Sequence, residues 1–270
     1  GDGINPPNPN LIIVKQVKDF IIIENISINN SYSKLILSPA DGAILPVILP
    51  GQFVQVAVEV PDVFLRRPIS INDVNRESNT LTLLVRNAGR GTAALIDMKA
   101  GEKLNILLPL GNGFTTECKA GSRLLLIGGG VGVAPLLYLG RELKAKGHHP
   151  EFLLGARSAG DLLSLDEFRS IGPVHICTED GSEGIKGLVT THPTLSESYE
   201  HYYCCGPAPM MKAIASIAYK NGTNCEVSLE NMMACGLGAC LCCVEKTVKG
   251  NVCVCTEGPV FNIESLTWNQ

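Results

Sequence analysis

The stretch RLLLIGGGVGVAPLLYLGRELKAK, residues 123–146, decides the class of fold. Arg123 to Ile127 is a cation followed by an unbroken apolar run, the pattern of a strand buried on both faces. Gly128 to Gly132 form a glycine loop, and Ala134 to Lys146 read as a helix stopped by Gly147. A dinucleotide pyrophosphate requires that order, because the backbone must come close enough to touch the anion while helix amides point at it. Gly130-Val131-Gly132-Val133-Ala134-Pro135 departs from the common G-x-G-x-x-G fingerprint by ending in proline. Proline is tolerated in a first helical turn, where the amide proton it lacks would have no helical partner.

Downstream, apolar runs at Glu151 to Leu154, Val174 to Cys177, Tyr202 to Cys204 and Cys225 to Leu229 alternate with helical stretches at Asp161 to Arg169 and Pro209 to Asn221. That alternation predicts a parallel sheet with covering helices. Ligands of such sheets sit at the carboxyl ends of the strands, where Gly155-Ala156-Arg157 and Cys205-Gly206-Pro207-Ala208-Pro209-Met210-Met211 fall. Taken singly, Cys205 reads as a small buried residue, and Met210 and Met211 as helix core.

Beyond the sheet the chain reads CGLGACLCC at residues 235–243 and CTEGPVF at 255–261. Cys235, Cys240 and Cys243 give C-x4-C-x2-C, the spacing by which plant-type [2Fe-2S] proteins wrap a loop around a cluster, with Cys255 as the fourth thiolate. Gly236 and Gly238 permit the tight turn and let amides approach the sulfurs. Structural zinc prefers paired C-x2-C knuckles, and here only Cys240 and Cys243 make one. A disulfide framework belongs to small secreted domains. Cys242 and Cys253 are spare thiols, and Cys253 is an alternative to Cys255.

Upstream, from Ile12 to about Leu110, short apolar or alternating runs (Phe20 to Ile26, Lys34 to Leu37, Phe53 to Val58, Ile69 to Ile71, Leu81 to Arg86) are separated by turn residues such as Pro50-Gly51 and Asn72-Asp73. These predict a sandwich or barrel. Arg66-Arg67-Pro68-Ile69-Ser70 sets cations and a hydroxyl at a strand edge, where a phosphate and a polar ring can be met together. Arg86-Asn87-Ala88-Gly89-Arg90-Gly91-Thr92 leads into a short helix, Ala93 to Met98, whose first amides suit a pyrophosphate.

At 270 residues with 45% hydrophobic and 18% charged, the chain has room for two domains and an appendage and little room for disorder. A net charge of -4 with no long basic run points away from nucleic acid. The most membrane-like run, Leu124 to Gly140, is interrupted by Gly128, Gly129, Gly130, Gly132 and Pro135, so a spanning helix is not expected. The N-terminal Gly1-Asp2-Gly3-Ile4-Asn5-Pro6-Pro7 has no signal-peptide pattern, and an odd eleven cysteines, most of them clustered, fit a reducing cytoplasm.

With Arg67-Pro68-Ile69-Ser70, Gly91-Thr92, Gly130-x-Gly132-x-x-Pro135, Cys205-Gly206-Pro207-x-Pro209-Met210 and the cysteine set, the chain resembles the ferredoxin-NADP reductase superfamily. It is most similar there to the electron-transfer subunits of NAD-dependent dihydroorotate dehydrogenase, and the ending Cys255-x-x-Gly258-Pro259-Val260-Phe261 is the most telling part. The resemblance implies a β plus α/β protein in three parts: an antiparallel FAD-binding barrel (1–117), a parallel-sheet NAD-binding domain (118–228) and a small [2Fe-2S] domain (229–270). It implies that Arg67 faces FAD phosphate, with Pro68 and Ile69 in the same motif, and that Ser70 lies by the flavin's reactive nitrogen. Leu84, Val85 and Arg86 would line the FAD, and Gly91 and Thr92 would bind its pyrophosphate. Gly130, Gly132 and Pro135 would hold the nicotinamide nucleotide, and Cys205, Gly206 and Pro207 would border the nicotinamide. Ser70 and Cys205 are the catalytic candidates. Where the broad superfamily has a tyrosine stacked on the flavin, this chain has Ile69, and the cluster segment replaces the superfamily's terminal aromatic.

The implied function is that of a cytoplasmic subunit of a heterotetramer, two of each chain, in pyrimidine (UMP) biosynthesis. Electrons from a partner FMN-containing dihydroorotate dehydrogenase subunit would cross the cluster and FAD to NAD+. Alone, the chain would reduce dyes with NADH. Two alternatives stand beside this: a reductase subunit for a hydrogenase, oxygenase or bifurcating transhydrogenase, and a zinc-stabilised nucleotide sensor. Arg157 could meet a 2'-phosphate, whereas Asp161 and Glu179-Asp180 make the neighbourhood acidic and favour NAD over NADP.

Overall fold

The computed structural model describes residues 14–268; the expectations for the N-terminal seven residues and for Ile12 lie outside them. The first six strands are β1 (Gln16–Asn29), β2 (Tyr32–Pro39), β3 (Phe53–Val56), β4 (Arg67–Asn75), β5 (Thr80–Arg86) and β6 (Lys103–Leu110), with helix α1 (Arg90–Asp97) between the last two. They close an antiparallel barrel in the order β1-β2-β5-β4-β3-β6. Strand alternation explains its filling: Val54, Val56, Ile69, Ile71, Leu83 and Val85 point inward to a shared apolar core, while Phe53, Gln55, Pro68 and Ser70 take the outer face.

The second part runs β7 (Arg123–Gly129), α2 (Ala134–Ala145), β8 (His149–Ala156), α3 (Leu165–Ile171), β9 (Val174–Thr178), β10 (Ile185–Lys186), β11 (His201–Cys205), α4 (Ala208–Asn221) and β12 (Asn224–Ser228). Helix α3 begins later than the sequence suggests, because Ser164 sits at φ 56 and cannot lie inside a helix. After β12 come β13 (Val244–Thr247), β14 (Gly250–Cys253), α5 (Val254–Glu257) and β15 (Val260–Asn262). The sheet order is β10-β9-β8-β7-β11-β12-β15, parallel except for β15, which pairs antiparallel with β12. The segment expected to stand apart as residues 229–270 therefore leaves the sheet at β12 and returns to its edge at β15.

Both faces of the sheet are covered, which is why its strands read as continuous apolar runs. Leu124 and Leu126 pack with α2 and α3, whereas Leu125 and Ile127 pack with Ile214 and Ala215 of α4. The second of these cores continues without interruption through Phe53, Leu107 and Leu110 of the barrel to Cys243 and Cys255, so one apolar mass joins all three parts. Two buried polar ties fix the barrel to α2: Asn72 donates to Ala134 O at 2.9 Å, and Tyr138 Oη donates to Ile48 O at 3.1 Å. Among the described residues no helix is long and apolar enough to cross a membrane.

Candidate functional site: barrel edge, glycine loop and cysteine loop

At the start of β4 the two adjacent arginines divide their work. Arg66 is held inward, its Nη1 donating to Gln55 O at 3.2 Å and Asn105 O at 3.0 Å. Arg67 reaches only Leu65 O, at 3.1 Å from Nε and 2.8 Å from Nη2, and lies across the first turn of α1. A Cβ on Gly91 would stand 3.1 Å from Arg67 Cδ, so glycine there lets the guanidinium and the helix start share one anion position. Thr92 Oγ1 accepts from Ala88 N at 2.8 Å and shapes the turn. Ser70 is partly exposed on the same face of the barrel as the exposed Pro68. Ile69 and Val85 are buried in the barrel core, so they offer a flavin their backbone and no side-chain surface. Leu84 is also buried, against the nucleotide domain, while Arg86 is exposed at the end of β5.

At the carboxyl ends of the parallel strands, Gly130 has φ 57 and opens the turn into α2, whose first turn holds the buried Pro135. A Cβ on Gly132 would lie 2.5 Å from Cys205 O, so the glycine loop and the β11 terminus touch backbone to backbone. Met210 seals the crevice from below, within 2.7 Å of where a Cβ on Gly129 would stand and 2.6 Å of one on Gly206. Pro207 is exposed immediately before α4. Cys205 is buried, and desolvation together with the nearby Glu230 raises its pKa well above the ordinary thiol value, so it is a neutral thiol rather than a nucleophilic thiolate.

The cysteine segment sets Cys235 near Cys240, and Cys243 near both Cys255 and Cys253. Amides point at the sulfurs: Leu237 N donates to Cys235 Sγ at 3.3 Å, Gly238 N to Cys255 Sγ at 3.2 Å and Cys255 N to Cys243 Sγ at 3.4 Å. The Leu237 amide holds the Cys235 thiol down to about 6, while burial pushes Cys255 up to about 12. Cys253 instead donates from Sγ to Gly238 O at 3.8 Å, as a thiol does, which favours Cys255 as the fourth ligand. Among the described residues no three His, Cys, Asp or Glu side chains are arranged around a single metal ion. Thiols spread along one loop with amides directed at the sulfurs of Cys235, Cys243 and Cys255 suit two irons sharing four thiolates, whereas zinc takes four donors on one ion. The positive φ of Gly236 and Gly238, 71 and 80, makes the turn possible.

Residues 230–267 match the iron-sulfur cluster binding domain of dihydroorotate dehydrogenase B, and residues 126–216 match the oxidoreductase NAD-binding domain. The chain is 40% identical over 228 residues to the dihydroorotate dehydrogenase B (NAD(+)) electron transfer subunit of Lysinibacillus sphaericus, covering 82% of this chain and 88% of that protein. The chain belongs to this family of electron transfer subunits. The Shouchella clausii member is 42% identical over 221 residues, covering 79% of this chain and 85% of its own length. Among solved structures, one of an NADH-dependent reduced ferredoxin-NADP oxidoreductase that carries out flavin-based electron bifurcation superposes with a TM-score of 0.80 at 27% identity, covering 93% of this chain and 90% of that one.

Within this electron transfer subunit two residues escaped the sequence reading. Glu230 follows β12, and its carboxylate lies 3.9 Å from Cys205 Sγ. Solvent reaches Glu230 through the cleft, yet protein encloses it on most sides, and burial raises its pKa despite Arg86 nearby. Its position two residues past the carboxyl end of β12 was the available signal. The other is Gln55, a polar residue in the apolar strand Phe53-Val54-Gln55-Val56, fully buried with neither side-chain polar atom hydrogen-bonded.

Proposed function

We propose that this chain is the electron-transfer subunit that links an FMN-containing dihydroorotate dehydrogenase subunit to NAD+, in a heterotetramer with two copies of each. The observation that carries this is a cysteine loop packed against Gln55 and Leu110 of the barrel, with backbone amides directed at the sulfurs of Cys235, Cys243 and Cys255. When bound, FAD exchanges a hydride with NAD and the [2Fe-2S] cluster moves single electrons, so the two together convert one mode of electron transfer to the other.

The protein's own residues supply position and electrostatics. Arg67, Gly91 and Thr92 would bind the FAD pyrophosphate, with Pro68 and Ser70 beneath the ring and Arg86 at its edge. Gly130, Gly132 and the start of α2 would take the NAD pyrophosphate. Cys205, kept neutral by burial, would floor the nicotinamide crevice with Gly206 and Pro207, leaving its thiol proton in place through the reaction. Glu230 and Arg86, of opposite charge at the mouth of that crevice, would hold its polarity. Cys235, Cys240, Cys243 and Cys255 would ligate the cluster. Ser182 donates from N and Oγ to Asp180 Oδ1 at 2.9 and 2.6 Å, and hydrogen bonding to Ser182 holds this carboxyl below its ordinary value. An ionised Asp180 beyond β9 would repel a 2'-phosphate and supports NAD over NADP.

Eleven cysteines with no disulfide among the described residues support a reducing, cytoplasmic location. Anaerobically purified protein is expected to carry iron, acid-labile sulfide and FAD, and to reduce dyes with NADH but not oxidise dihydroorotate until the FMN subunit is added. Dihydroorotate oxidation by the chain alone, or a colourless zinc protein, would overturn the reading. The likeness to the bifurcating oxidoreductase favours one second reading, a subunit for a ferredoxin-linked partner, which identification of the chain bound in a native extract separates from the first.

A further inference from the structure

Gln55 is sealed from solvent, and among the described residues neither its Nε2 nor its Oε1 has a hydrogen-bond partner. Its backbone is accounted for by the β3 ladder and by Arg66, which leaves the side-chain amide alone. Buried amides are hydrogen-bonded in native proteins, and one that is not points to a group that belongs beside it. The amide's surroundings identify that group. A Cβ on Gly236 would stand 3.0 Å from Gln55 Cγ, 3.2 Å from its Nε2 and 3.2 Å from Leu110 Cδ1, so the side chain presses on the residue directly after Cys235. Gln55 is paired with Pro68 and therefore shares the outer barrel face with Pro68 and Ser70. Those two retain exposure, whereas Gln55 is fully buried with Gly236 of the cysteine loop against it.

We propose that the Gln55 side-chain amide donates a hydrogen bond to a sulfur of the cluster, from the barrel side of the loop, and sets its reduction potential. This rests on the reading of the four cysteines as a [2Fe-2S] site. The backbone amides of Leu237, Gly238 and Cys255 serve three sulfurs from within the loop and α5; Gln55 is a donor contributed by another domain. A hydrogen bond to sulfur favours the more negative, reduced cluster, so this contact raises the potential. It also couples the electron carrier to the strand pair that bears Ser70, the residue expected next to the flavin.

The test compares anaerobically prepared full-length wild type with Gln55→Leu and Gln55→Met. Both variants remove the donor, and the unbranched Gln55→Met nearly keeps the shape should Gln55→Leu fail to fold. The expected result is unchanged iron, sulfide and FAD content, a lower cluster midpoint potential in an EPR-monitored titration, and loss of one exchangeable-proton coupling to the reduced cluster in D2O. An unchanged cluster potential and coupling overturns the proposal. So does a change confined to FAD affinity or flavin potential, which would assign the amide to the flavin. Wild type lacking an iron-sulfur signal removes the underlying cluster reading, a failure told apart because it appears before any substitution is made.

Discussion

The β7 strand and the cysteine loop are built on opposite principles. Leu124 to Gly129 is buried throughout, hydrogen-bonded to strands on both sides and packed above and below by helices. The loop from Met232 to Cys242 has no strand or helix, and leaves Met232, Leu237 and Leu241 at 81, 50 and 65% exposure. Its amides turn inward to sulfur instead of to neighbouring carbonyls. The sheet is shaped by its own apolar burial, and the loop by what it encloses. Substitutions in the loop should thus remove a cofactor and spare the fold, while those in the sheet's glycine turn should disturb the backbone itself.

The sharpest break of that contrast is Cys240→Ser, for which complete loss of the iron-sulfur EPR signal is expected with FAD absorbance and melting temperature of the rest little changed. A normal iron signal would mean that Cys242 or Cys253 takes over. Next in size is Gly132→Ala. Its methyl would meet Cys205 O, which is backbone and cannot swing aside. Displacing the nucleotide loop by even a fraction of an ångström is expected to slow flavin reduction by NADH on the order of 100-fold, read by stopped-flow absorbance. Gly91→Ala is milder, because the contact is with the flexible Arg67 side chain. Loss of one charge-assisted hydrogen bond to phosphate predicts about tenfold weaker FAD binding, measured by flavin release on dilution.

The smallest effect should come from Glu230→Gln, read as melting temperature against pH. Burial raises the folded-state pKa of Glu230 above its ordinary 4.5, so the ionised form is the penalised one. The wild type loses relative stability as pH rises from about 4.5 through the raised value, and the variant does not. Glu230→Gln should therefore melt slightly higher at pH 8 and match the wild type at pH 4. A variant less stable at pH 8 would show that Arg86 pairs with Glu230 strongly enough to outweigh burial.

Much of this was written in the sequence because local rules and tertiary needs agreed. Arg123 to Ile127 had to be a doubly buried strand, and C-x4-C-x2-C had to turn around a small core. The path of β15 was not legible, since three residues, Val260 to Asn262, carry too little periodicity to announce a strand and gain their place by pairing with β12. The inward orientation of Ile69 and Val85 followed from barrel register, which a motif read along the chain does not contain. Glu230 and Gln55 are single polar residues whose meaning lies in neighbours far away in sequence.

The return of the chain to β12 through β15 has a mechanical consequence. A cluster carried on a separate module swings on a tether, and its distance to a flavin varies with the tether. Here both ends of the cysteine segment are sewn into one sheet, so the anchors of the loop take their places when the protein folds. A docking partner meets a loop held at both ends, with no hinge between it and the sheet.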